Sequence, residues 1–436
     1  MLSTGGLSTD QAPPFGVPLQ FFLTAPWFAV AAGLVLAWQG PDMLATRWAP
    51  ASLAAAHLLG LGFLGLVMCG ALFQIMPVLA GVPVPGAVWV SRVVLACWAP
   101  GAAGLAAGFL VGDDGLLVGS AGLLAAGILT FATAVGWGLR ESRAVPETVI
   151  GMKLAVVALV VALALGGLLL AALVNRVGLF ALPAWVDLHL SWALLGWCGL
   201  LLVGVGFQLV PLFHVTPPYP AWMRRHAPAA ILASLLGISL GHWLDEPLLR
   251  VVAEAAGLAT IQAFAVLTVW RQAQRHRPLW DVTLSFWWLG LGCYTAAVAV
   301  WAFGGDQIVV GGLVLAGTAV AIPMGMLYKI VPFLAWLHLQ GRQLSAGRLD
   351  VRLPHMKSFV PERRGHAQFA LLAAALALLL GVYLGLEDLA RAAGLVFAAA
   401  AAFFWLNLVG AWRRYRAMLA VIATTAQAKS GAEGRP

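Results

Sequence analysis

The chain has 436 residues, 62% of them hydrophobic and only 10% charged, whereas a soluble protein is about half apolar and about a quarter charged. That balance excludes a cytosolic globular enzyme. The apolar residues fall in runs of roughly 20 or more broken by Gly, Pro and Arg, the length a helix needs to cross a bilayer, so the sequence reads as an all-α polytopic membrane protein.

Taken in chain order, the residues up to Pro18 are polar and proline-containing with no basic stretch. They do not read as a cleavable signal, and the first helix is expected to stay in the mature chain. Hydropathy then predicts spans at 21–39, 52–79, 88–111, 115–139, 149–174, 187–213, 228–244, 247–270, 283–303, 308–337, 366–384 and 389–411. The seventh and eighth are separated by Asp245, Glu246 and Pro247, where charge and proline together end a span. Twelve spans put both termini on one side.

Charge gives that side an identity. On the side of the loops after even-numbered helices and the two tails lie all of the 25 Lys and Arg except Arg47, Arg176, Arg250 and Arg391. By the positive-inside rule this face is cytoplasmic, and the setting is a bacterial inner membrane. The net charge of +8 is spread over short loops with no folded domain to present it. Topology and anionic lipid account for it, and nucleic acid is not an expected partner. Cys69, Cys97, Cys198 and Cys293 all lie in apolar runs without CxxC spacing, so they read as buried thiols.

One pattern recurs at the cytoplasmic ends of the second, sixth and tenth helices. Gly70 to Pro77 reads GALFQIMP, Gly204 to Pro211 reads GVGFQLVP, and Gly325 to Pro332 reads GMLYKIVP. The repeat spacing defines a four-helix module used three times in the same direction. The boundaries are about 19–140, 147–272 and 281–413, followed by a cytoplasmic tail at 414–436. Such a chain suits a pseudo-threefold arrangement with glycine-lined signature helices inside. Gln74, Gln208 and Lys329 occupy matching positions within the pattern. Polar groups at that depth need partners, so they form either a polar constriction or local ties, with Lys329 reaching the headgroups.

Nine histidines sort by depth. His226, His276, His355 and His366 lie in basic loops, and His214 and His338 follow the repeated pattern. His57, His189 and His242 instead fall in the outer part of the membrane, where imidazole is a candidate ligand for haem iron or a metal ion. His57 lies 13 residues before Gly70 and His189 lies 15 before Gly204. On a regular helix that difference is a rotation of roughly 200°, so the two are not strict repeat equivalents. The positions matching His57 are Ser191 and Gly312. Asp187 reads as a helix cap, and Glu254 as a residue able to pair with His242 across the hairpin.

Together these features resemble subunit I of the haem-copper oxidases: twelve spans with both ends inside, three four-helix repeats and a histidine near the outer end of helix two. The stretch AHLLGLGFLGLVMCGALFQIMPVLAG, Ala56 to Gly81, is also similar to one helix of NnrS-type membrane proteins, a nitric-oxide-stress family thought to bind haem and copper. The resemblance implies that His57 stands for the axial ligand of a low-spin haem. It implies that His189 stands for the helix-six copper ligand and His242 for the helix-seven histidines. Helix ten lacks the His-x-His of the oxidases, and no His-Pro-Glu follows His189. The implied protein is therefore not a complete terminal oxidase. It binds haem or copper and serves respiratory electron transfer, nitric oxide handling or cofactor delivery, in company with other respiratory membrane subunits. The alternative is a transporter or channel for a small solute or ion, constricted at Gln74, Gln208 and Lys329.

Overall fold

The computed structural model describes residues 13–142, 146–179, 181–276 and 279–433, and among them it is helical with no strand. The helices are α1 Gly16–Gln39, α2 Pro50–Ala80, α3 Ala87–Val111, α4 Asp114–Arg140, α5 Pro146–Val174 and α6 Leu182–His214. They continue as α7 Ala221–Trp243, α8 Pro247–Ala273, α9 Val282–Ala302, α10 Gln307–Ser345, α11 Glu362–Tyr383 and α12 Leu389–Glu433. Among the described residues eleven stretches are long and apolar enough to cross a membrane, and α7 is the helix outside that set. Arg224, Arg225 and His226 lie in its first turns, where a loop was expected. α10 runs past the expected end at 337 and takes in His338, and α12 continues through most of the expected 414–436 tail.

Local chemistry sets the ends. Gly112, at φ +69°, closes α3, and the Asp113 carboxylate then accepts from the Leu116 N–H at 2.6 Å to start α4. Asp306 caps α10 likewise, accepting from the Ile308 N–H at 2.9 Å. Large apolar side chains such as Val111, Leu248 and Phe303 stay exposed, as a lipid-facing surface requires.

Four stretches depart from regular α geometry into wider π turns: Leu58–Gly65 in α2, Ser191–Gly199 in α6, Leu313–Thr318 in α10, and Met76–Ala80 at the end of α2. In the register that aligns the three motifs, Leu58 corresponds to Trp192 and Leu313. The first three wide turns thus begin within one residue of matching positions.

The chain divides into two compact units. The first comprises Met1–Val17, Met68–Leu279 and Leu291–Leu313, and the second Pro18–Val67, Trp280–Gly290 and Val314–Pro436. In the first unit Phe131 of α4 is the centre of a buried aromatic group, edge-on to Phe73, Trp98 and Trp197 at 5.9, 6.1 and 6.1 Å. Phe207 of α6 packs in the same way on Phe264 of α8 at 5.9 Å. Here α5 and α6 meet backbone to backbone: a Cβ on Gly151 would lie 3.0 Å from the Gly204 Cα. In the second unit Tyr328 of α10 packs edge-on to Phe404 of α12 at 5.3 Å. α1 and α12 cross at glycines, since a Cβ on Gly33 would stand 2.7 Å from the Gly394 carbonyl oxygen. Small residues at each crossing are what helices in lipid need to approach closely.

Candidate functional site

The polar position of the repeated pattern becomes a set of local ties. In the first unit the Gln208 amide donates to Thr148 Oγ1 at 2.9 Å, joining α6 to the first turn of α5. In the second unit Lys329 Nζ meets Asp281 Oδ2 at 2.8 Å, joining α10 to the residue before α9. Two of the three expected polar residues therefore bind the start of the preceding helix. Gln74 differs, for its Oε1 is buried without a hydrogen-bond partner. The helix that precedes α2 starts after Pro13, Pro14 and Phe15, a stretch with no side-chain donor to offer.

The pattern's aromatic residue acts alike in all three copies: Phe73, Phe207 and Tyr328 each pack on a phenylalanine of the fourth helix of their expected module, Phe131, Phe264 and Phe404. Only Tyr328 carries a hydroxyl, which donates to Gln368 Oε1 at 3.1 Å and accepts from Asn407 Nδ2 at 2.9 Å. Gln368 in turn donates to the Met324 sulfur at 3.4 Å. This buried network was not read from the sequence, because Gln368 stands just after the basic residues Arg363, Arg364 and His366, and Asn407 sits alone in an apolar run.

The outer-half histidines are held in different ways. His57 ends the regular part of α2 just before its wide turn, and its Nδ1 lies 2.7 Å from the Leu53 carbonyl one turn earlier. His189 lies two residues before the wide turn of α6, and its Nδ1 lies 3.0 Å from the Ala162 carbonyl of α5. A carbonyl oxygen only accepts, so in each ring Nδ1 is the donor. In the neutral ring the lone pair then belongs to Nε2. A hydrogen bond of this kind fixes the tautomer and the direction of the ring. The corresponding wide turn of α10 follows Gly312 and has no histidine there.

His242 is placed otherwise. Its ring stands edge-on to Trp185 at 4.3 Å, and its Nδ1 is buried without a hydrogen bond. His189 Nδ1 faces the Ala162 carbonyl of α5, while His242 packs on Trp185, one turn before His189 on α6. The expected pairing of Glu254 with His242 is not formed: the charges nearest Glu254 are Asp187 and Arg250, and those nearest His242 are Arg250 and Asp245. Asp187 does not cap α6 either, because the helix starts at Leu182 after Ala181 and Asp187 lies in its second turn.

Among the described residues no group of three or more His, Cys, Asp or Glu could hold a metal ion. Neither a protein-family model nor a curated protein matches the chain.

Proposed function

We propose that this integral membrane protein binds haem, and that the outer-half histidines His57 and His189 are the residues that would hold it. The observation that carries the reading is that both Nδ1 atoms face main-chain carbonyls, at 2.7 and 3.0 Å, beside wide helical turns that begin at matching places in the repeat. Wide turns of this kind are frequent at functional sites. Bound haem would supply one-electron redox chemistry and a site for a diatomic gas. The chain's own part is to aim imidazole and exclude water with its apolar helices.

The proposal includes the architecture. Three four-helix modules of the haem-copper oxidase subunit I or NnrS type are supported by the matching wide turns and by the aromatic contact between second and fourth helices in every copy. Both termini lie in the cytoplasm of a bacterial cell. The role is respiratory electron transfer, nitric oxide handling or cofactor delivery, with respiratory membrane subunits as partners. Copper at His189 or His242 is the lesser part of the proposal, since these rings point to different neighbours.

The test is the visible spectrum and iron content of protein purified from cells supplied with haem. A Soret band with near-stoichiometric iron is expected, weakened or shifted in His57→Ala and unchanged in Gln208→Ala. Absence of both band and iron in the wild type would remove the reading.

A further inference from the structure

The His189 imidazole bonds to a carbonyl in the middle of α5, a place where a helix normally hides its carbonyls. Side chains lean toward the helix N-terminus, so residue i+4 covers the carbonyl of residue i. For the Ala162 carbonyl that residue is Gly166. With no side chain there, the second lone pair of the Ala162 oxygen is open to a donor from outside the helix. The ring occupies that notch: a Cβ on Gly166 would stand 3.1 Å from His189 Cε1, 3.5 Å from Nδ1 and 3.9 Å from Nε2.

We infer that Gly166 is a positioning residue for His189: it uncovers the Ala162 carbonyl so that Nδ1 donates to it, which puts the lone pair of the neutral ring on Nε2. The inference deepens the haem reading and rests on it for its purpose, but the seat itself is a property of α5 and α6 alone. His57 needs no such device, because its acceptor is on its own helix four residues earlier. The neighbouring Gly167 supplies a matched control, since a Cβ there meets nothing within 4 Å.

The experiment compares wild type, Gly166→Ala, Gly166→Val and Gly167→Ala, purified in detergent without haem and labelled with 15N-histidine. Long-range 1H–15N spectra report which ring nitrogen of His189 carries the proton. The wild type is expected to hold the proton on Nδ1. Loss of one neutral hydrogen bond changes the tautomer ratio roughly fivefold in Gly166→Ala, and more in Gly166→Val, whose branched side chain fills the notch. Gly167→Ala leaves the ratio unchanged. Alanine favours helix over glycine, so a purely structural glycine would alter stability and not the tautomer. An unaltered His189 tautomer in Gly166→Val, or the proton on Nε2 in the wild type, overturns the inference. A tautomer shift in protein whose wild type shows no Soret band upholds the seat and rejects the haem reading instead.

Discussion

His57 and His189 reach the same tautomer by different means, and the difference separates a local device from a packed one. His57 is oriented by its own helix, through the Leu53 carbonyl one turn before it. His189 is oriented by its neighbour, through the Ala162 carbonyl of α5. The first arrangement holds wherever α2 is helical. The second holds only while α5 and α6 stay in register, and that register depends on small residues: Gly151 against Gly204, and Gly196 against Ala158, where an added Cβ would stand 2.8 Å from the alanine methyl.

Substitution should cost most at Gly204, at the far end of the α5–α6 contact. Gly204→Val has no room beside Gly151, and overpacking at a backbone contact costs about 3 kcal/mol. Thermal unfolding in detergent checks this cost. In the protein that remains folded, the His189 ring signals should move and those of His57 should not. Movement of both would mean that the two orientations are not independent.

Tyr328→Phe tests the second unit at its buried network. It removes the hydroxyl that Gln368 and Asn407 share, in surroundings where an unmet polar group costs about 2 kcal/mol, so a clear fall in unfolding midpoint is expected. Phe73 and Phe207 occupy the same place in the pattern without that hydroxyl, and conversion of either to Tyr should likewise destabilise. A Tyr328→Phe variant as stable as wild type would show that the network adds nothing.

Much of this was legible in the sequence. The apolar runs gave the helices, and the recurrence of Gly, an aromatic residue, Gln or Lys, and Pro marked α2, α6 and α10 as kin. The angular relation of the two histidines was not legible. A rotation of roughly 200° follows from 3.6 residues per turn, but wide turns at Leu58–Gly65 and Ser191–Gly199 lie between each histidine and its motif glycine. No residue type announces such a turn, so the count of residues does not give the angle. Contacts between helix faces were equally hidden: Trp185 against His242 depends on how α6 and α7 pack. The ties of Gln208 and Lys329 had a readable trace, since Thr148 and Asp281 are polar residues at the starts of α5 and α9.

Those ties predict smaller effects. Lys329→Ala separates a pair whose side chains are 22% and 33% exposed, so solvent screening holds the cost to about 1 kcal/mol or less, diminishing further in high salt. Denaturation midpoints at low and high ionic strength check this. Gln74→Leu should go the other way. Removing an acceptor that is buried without a partner is neutral or stabilising by up to about 1 kcal/mol, and a marked loss of stability would show that Gln74 has a role in packing or binding that its contacts do not reveal.

Ligation of haem iron by imidazole is what the proposed function requires of His57 and His189. Resonance Raman of the reduced, haem-loaded protein measures it through the iron–imidazole vibration. The band should be present in the wild type, altered in His57→Ala and in His189→Ala, and lost when both are replaced. Haem bound in full, with the same band, in the double variant would contradict the claim.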